Sequence, residues 1–179
     1  GFVRRSVSKG GEAYTTFRVG EPHGRPSARV QLIHDMLADI DSVKITTNLW
    51  GERWSKLVQN AMGNGLSAAS GMSNKQFTQN DITRRLSIRL AGEAVRAGLS
   101  QGLSLEKIAG VDPNVWVQAA EELNTGANDT PVLDELEARM LTQAERMSDT
   151  ARPSMGQDMI KGRRTEIEFL NGLVVQRAH

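Results

Sequence analysis

Apolar residues change their spacing near residue 48 of this chain. Before it, the β-rich runs Phe2-Val3-Arg4 and Ala13-Tyr14-Thr15-Thr16-Phe17-Arg18-Val19 flank Lys9-Gly10-Gly11, a hairpin-like break. Gly20 to Pro26 reads as a loop. From Ser27 onward Val30, Ile33, Leu37 and Ile40 recur at helical spacing, and Val43-Lys44-Ile45-Thr46-Thr47 reads as a short strand. Strand, strand, helix, strand is too little to close a sheet with two covered faces. Residues 1–47 are therefore expected to be the tail of a larger α/β unit whose beginning is absent.

From Asn48 on, the pattern predicts helices only. Asn80 is placed to cap a helix carrying Ile82, Leu86, Leu90, Ala94 and Ala97 on one side, which stops between Gly98 and Gly102. Asp112-Pro113 and Thr130-Pro131 each set a capping side chain before a proline at the first helical position. The first starts a short helix; the second opens a long one expected to turn Val132, Leu136, Met140 and Met147 inward. Ser154 with Gln157, and Thr165 with Glu168, have the spacing of a capping box and predict helices beginning at 154 and 165. The expected fold is mainly α: a helical domain over 48–179 after an incomplete α/β piece over 1–47.

Composition narrows the function. A formal charge of +1 over 179 residues, with no block of like charge, argues against a nucleic-acid or membrane-surface protein driven by electrostatics. No apolar run approaches the roughly 20 residues needed to cross a bilayer. No secretory leader pattern opens the chain. Without cysteine there is no disulfide, thiolate metal site or Cys nucleophile, which fits a reducing cytoplasm. His23, His34 and His179 have no partners at ligand spacing, so no metal site is expected. A G-x-G-x-x-G nucleotide fingerprint is absent.

Candidate chemistry begins at Lys56, Asn60 and Asn64. On a helix this spacing stacks a cation and two amides on one face, drifting about 40° per step. The plain alternative is a solvated face. Against it, Asn is a poor helix former, and Gly63 and Gly65 beside Asn64 each cost about 1 kcal/mol in a helix interior unless another backbone or a ligand comes close. Ser154 reads first as an N-cap, and a helix start is also a natural seat for a carboxylate. Glu168 is the better capping partner for Thr165, which leaves Glu166 less explained by structure.

Trp54-Ser55-Lys56-Leu57 with Asn60 and Asn64, then Ser154-Met155-Gly156-Gln157-Asp158, then Gly162-Arg163-Arg164-Thr165-Glu166-Ile167-Glu168-Phe169-Leu170-Asn171-Gly172, resemble the ketopantoate reductase family. The stretch Phe17-Arg18-Val19-Gly20-Glu21, then a helix and a strand before Asn48, resembles the link into that family's second domain. The resemblance implies a Rossmann domain that binds NADPH, a helical C-terminal domain of the 6-phosphogluconate-dehydrogenase-like type, and an active site in the cleft between them. The implied reaction reduces a 2-keto acid, by default ketopantoate, to its 2-hydroxy acid. Lys56 is then the proton donor, and Asn60 and Asn64 hold substrate hydroxyl and carbonyl groups. Ser154 holds the carboxylate, Glu166 sits at the nicotinamide end, and Asn74 is a further substrate-side residue. The chemistry suits these types: hydride addition builds negative charge on the ketone oxygen, which an ammonium both stabilises and protonates. The implied picture is an ammonium from one helix and groups from two later helix starts meeting around one small anion. A homodimer through the helical domain is also expected. The alternatives are a non-catalytic helical dimerisation or interaction domain, and a related hydroxyacid dehydrogenase with another substrate.

Overall fold

Helix starts in this chain are written in its polar caps, and most of them hold. The computed structural model describes residues 15–126 and 130–178. The Phe2-Val3-Arg4 run, the Lys9-Gly10-Gly11 break and the beginning of the run at Ala13 lie outside those residues. The described order is β1 (Phe17–Val19), α1 (Ala28–Ala38), β2 (Val43–Ile45), α2 (Leu49–Ser70), α3 (Asn74–Gln79), α4 (Asp81–Ser100), α5 (Pro113–Thr125), α6 (Pro131–Glu145) and α7 (Ser154–Ile160). A 3-10 turn at Ile167–Phe169 then leads into α8 (Asn171–Arg177). The chain forms two compact units, one ending at Glu52 and one beginning at Arg53. Among the described residues no helix is long and apolar enough to cross a membrane.

In the first unit β1 and β2 run parallel, Phe17 opposite Val43 and Val19 opposite Ile45, with α1 as the crossover. Ser27 caps α1: its Oγ accepts from the Val30 N–H at 3.1 Å and donates to Glu21 at 2.5 Å. Arg29 donates to both oxygens of the buried Glu21 carboxylate, at 3.2 and 2.5 Å. Those bonds, with Ser27's, hold the Glu21 carboxyl below the ordinary carboxylate range. The apolar face expected on α1 is only partly covered. Val30 is buried, Leu37 is half-buried, and Ile33 and Ile40 are exposed, because two short strands are all the sheet the described residues offer it.

The core of the second unit is built on close helix contact rather than on large side chains. A Cβ placed on Gly92 of α4 would lie 2.4 Å from the Ala120 Cβ of α5, so the two helices touch nearly backbone to backbone. The buried face of α4 is accordingly Ser87, Ile88, Ala91, Gly92, Val95 and their neighbours. This corrects the face expected from the sequence: Ala94 and Ala97 are buried, but Ile82 is 79% exposed and Leu86 is also exposed. Small residues won because α5 approaches too closely for leucines. Two indoles lock the arrangement. Trp54 donates to the Ala94 carbonyl at 2.8 Å while lying over Gly98, and Trp116 donates to the Ile108 carbonyl at 3.2 Å.

Caps at Asn80, Asp112 and Thr130 are present as expected, and α5 ends at Gly126 in the left-handed conformation. Leu136 and Met140 of α6 are buried, Val132 is half-buried, and Met147 falls just beyond the helix. A capping box of Ser73 and Gln76 opens α3, which the apolar spacing did not announce. Two expected boxes fail. Pro153, not Ser154, is the N-cap of α7, and Gln157 donates instead to the Arg152 carbonyl at 3.0 Å. No α-helix begins at Thr165; Glu168 pairs with Arg164 at 3.0 Å, and α8 begins at Asn171.

Candidate functional site

The α2 stripe faces a cavity of about 360 Å³ within the second unit. Lys56, Asn60 and Asn64 all line it, with Gln59 and Gly63 between them on the same helical face. From the α6 side come Leu136, Arg139, Met140 and Gln143, again spaced at three and four residues. Asn74, Phe77 and Thr78 of α3 and the buried Trp116 of α5 complete much of the lining. One wall is thus polar and much of the rest apolar, the usual character of a small-molecule site.

Details of the α2 wall point the same way. Asn64 is 8% exposed, yet neither its side chain nor that of Asn60 makes a hydrogen bond among the described residues. Amides left without protein partners at a cavity wall are available to a ligand. Lys56 is exposed at the rim, its ammonium 3.4 Å from the Gln59 side-chain oxygen. Among the described residues no Asp or Glu lines the cavity, and its charged lining groups there, Lys56 and Arg139, are both cationic. The arrangement suits an anion with an apolar body.

The two glycines beside Asn64 admit close protein neighbours. A Cβ on Gly63 would lie 3.1 Å from the Phe77 ring, and one on Gly65 would lie 3.2 Å from Ile167 Cδ1. The nearest protein atoms at both positions are side-chain atoms, not backbone. Asn171 adds a clamp, its Nδ2 donating to the Ala61 carbonyl of α2 at 3.0 Å. Its Oδ1 is the one buried side-chain acceptor without a partner among the described residues. The turn that carries Glu166 is therefore fastened to α2 beside Asn64.

Glu166 and Ser154 are exposed and do not line the cavity. Glu166 directly precedes Ile167, which packs on Gly65. Ser154 is the first residue of α7, next to Pro153, which does line the cavity. The helix packs on α2 where a Cβ on Gly156 would lie 2.9 Å from Ser67 Oγ. So the cavity gathers Lys56, Asn60, Asn64 and Asn74, and does not gather Ser154 or Glu166. Sequence reasoning missed Phe77, Trp116, Arg139 and Gln143. The signal for the α6 pair was there: Arg139 and Gln143 lie on the face that carries Leu136 and Met140.

Comparison with known proteins agrees with this architecture. The family profile described as "Ketopantoate reductase PanE/ApbA C terminal" matches residues 48–179. A 2-dehydropantoate 2-reductase of Archaeoglobus fulgidus is 26% identical over 93% of this chain and 46% of its own length. One of Pyrococcus horikoshii is 23% identical over 75% of this chain and 36% of its own. The chain thus spans less than half the length of these curated relatives. Among solved structures, a 2-dehydropantoate 2-reductase of Geobacter metallireducens shares the fold with a TM-score of 0.65 at 22% identity, over 90% of this chain and 46% of that one. A PanE/ApbA family ketopantoate reductase of Ralstonia eutropha does so with a TM-score of 0.62 at 20% identity, over 92% and 45%. With its profile covering most of the sequence and its helices arranged around the α2 stripe, this chain belongs to the ketopantoate reductase family and carries the family's C-terminal domain.

Proposed function

We propose that this chain supplies the substrate-binding and proton-donating half of an NADPH-dependent reductase that converts a 2-keto acid, by default ketopantoate, to its 2-hydroxy acid. The observation that carries the reading is the α2 stripe, an exposed ammonium followed by two amides, opening into a cavity; among the described residues the amides have no side-chain partner and no carboxylate lines the cavity. Lys56 donates the proton to the ketone oxygen as charge builds on it. Asn60 and Asn64 fix the substrate without adding charge, Asn74 supports them from α3, and Ser154 meets the substrate carboxylate from the flank. NADPH, when bound, supplies the hydride. Of the described residues, Glu166 is the one we assign to the cofactor. Its carboxylate is exposed and without a partner among the described residues, and the Ile167 and Asn171 contacts hold its turn against α2 at Gly65 and Ala61.

The test is NADPH oxidation in the presence of 2-keto acids, with the nucleotide-binding domain present. Lys56→Ala is expected to lower kcat by about 10²–10⁴. Full turnover by that variant on every active substrate refutes the role. A homodimer in the cytoplasm accompanies this reading. A relative from Staphylococcus aureus is described as a dimeric ketopantoate reductase, and Ile82 and Leu86 of α4 form an exposed apolar strip here. Light scattering that finds only monomers of the whole protein refutes the dimer.

A further inference from the structure

The cavity holds a second cation that the roles above leave unused. Arg139 is exposed on the α6 face that lines the cavity, and its Nη2 donates to the Gly110 carbonyl at 3.2 Å. Gln143, one turn further on, donates to the Ala109 carbonyl at 3.5 Å. These carbonyls belong to a tight turn closed by reciprocal N–H···O bonds of 2.9 and 3.0 Å between Ile108 and Val111. Ala109, with φ of +50°, is the one non-glycine in the left-handed region among the described residues. Backbone in that conformation persists where its surroundings over-determine it, and it clusters at ligand clamps. Ala109 and Val111 themselves line the cavity.

The Gly110 carbonyl therefore engages one donor of this exposed guanidinium beside the cavity, while most of its five donors stay uncommitted. No carboxylate pairs with it among the described residues. Asp112 and Glu135 border a neighbouring hollow with Arg139, yet neither forms an ion pair with it. The planar guanidinium fork matches a carboxylate in geometry and charge. Phe77, Trp116 and Met140 offer apolar lining suited to a methylene chain.

We propose that Arg139 binds a second carboxylate at the end of the substrate remote from the keto group, so that the preferred substrates of this cavity are 2-keto dicarboxylic acids. This rests on the reading that α2 holds the keto-acid head. The probes are 2-oxoadipate and 2-oxohexanoate, which share a six-carbon chain and differ in the terminal carboxylate, titrated calorimetrically into the chain. The diacid is expected to bind at least about tenfold tighter, the scale of one charge-assisted contact. Arg139→Ala is expected to bring the ratio near one. Arg139→Lys, which keeps the charge and loses the fork, is expected to retain part of it, and it decides the matter if the alanine variant fails to fold. Equal affinities in the unaltered chain, or a ratio that survives Arg139→Ala, overturn the proposal. If both acids bind alike and both need Lys56 and Asn60, the keto-acid reading stands and only the Arg139 role falls. If adipate, lacking the keto group, binds as tightly as 2-oxoadipate, the keto-acid reading falls. If neither keto acid binds, both fall.

Discussion

Removing the Glu137 carboxylate is expected to loosen both helices that bring polar groups to the cavity from outside α2. Glu137, buried on α6, accepts from Arg84 Nε at 3.0 Å and from Arg85 Nε and Nη2 at 3.1 and 3.3 Å. Arg84 is buried too, and its Nη1 donates to the last carbonyls of α3, Thr78 at 3.2 Å and Gln79 at 3.4 Å. One guanidinium thus ties α3, α4 and α6 together. Glu137→Ala leaves that guanidinium buried without its buried counter-charge, a change that costs about 3–5 kcal/mol. Arg84 keeps the exposed Asp81 as a partner at 2.6 Å, which places the expected loss near the lower end, about 3 kcal/mol. For a domain of this size that is a fall of roughly 6–12 °C in Tm. Glu137→Gln keeps the shape and one acceptor, so about 1–2 kcal/mol is expected. Urea unfolding of the single variants and of the double variant with Arg84→Met measures the loss and the coupling. A loss under about 1 kcal/mol for Glu137→Ala, or a coupling near zero, refutes the argument.

Other expectations follow from single contacts. Gly92→Ala would push a Cβ to 2.4 Å from the Ala120 Cβ and 3.1 Å from the Trp116 carbonyl, so a loss of about 1–3 kcal/mol is expected in thermal unfolding, and an unchanged Tm refutes the close packing. Asn171→Asp sets an acceptor against the Ala61 carbonyl in place of a donor, and about 1–3 kcal/mol of destabilisation is expected by urea unfolding; no change removes the clamp from the account. The Glu21 carboxyl is depressed by Arg29 and Ser27, so its contribution is fully present above the unfolded pKa. That contribution fades as pH falls below about 4.3 and through the lower folded value. Glu21→Gln should flatten the acid limb of the pH–stability curve, and an unaltered limb contradicts the assignment.

Much of the fold was legible because local chemistry decided it. The caps at Asn80, Asp112 and Thr130 start the helices they announce, since each side chain accepts from a first-turn N–H group. Where tertiary packing decided, the apolar spacing misled. The buried face of α4 is set by the closeness of α5, which makes Ala91, Gly92 and Val95 core and leaves Ile82 outside. The box at Thr165 failed because Glu168 found Arg164, and the box at Ser154 failed because Pro153 took the N-cap position. Of the site, the α2 stripe was readable from a four-residue spacing alone. Arg139 was marked only by the α6 face it shares with Leu136 and Met140; the turn at Ala109 and Gly110 that receives it has no local pattern.

The α2 stripe is the centre of the account, and side-chain amide resonances test it directly. In a nitrogen-15 spectrum of the chain titrated with a 2-keto acid, the amide signals of Asn60, Asn64 and Asn74 are expected to shift together and saturate, and to stop responding in Lys56→Met. Shifts that leave those three amides untouched, or that persist in full without the Lys56 ammonium, contradict the claim that this wall receives the substrate.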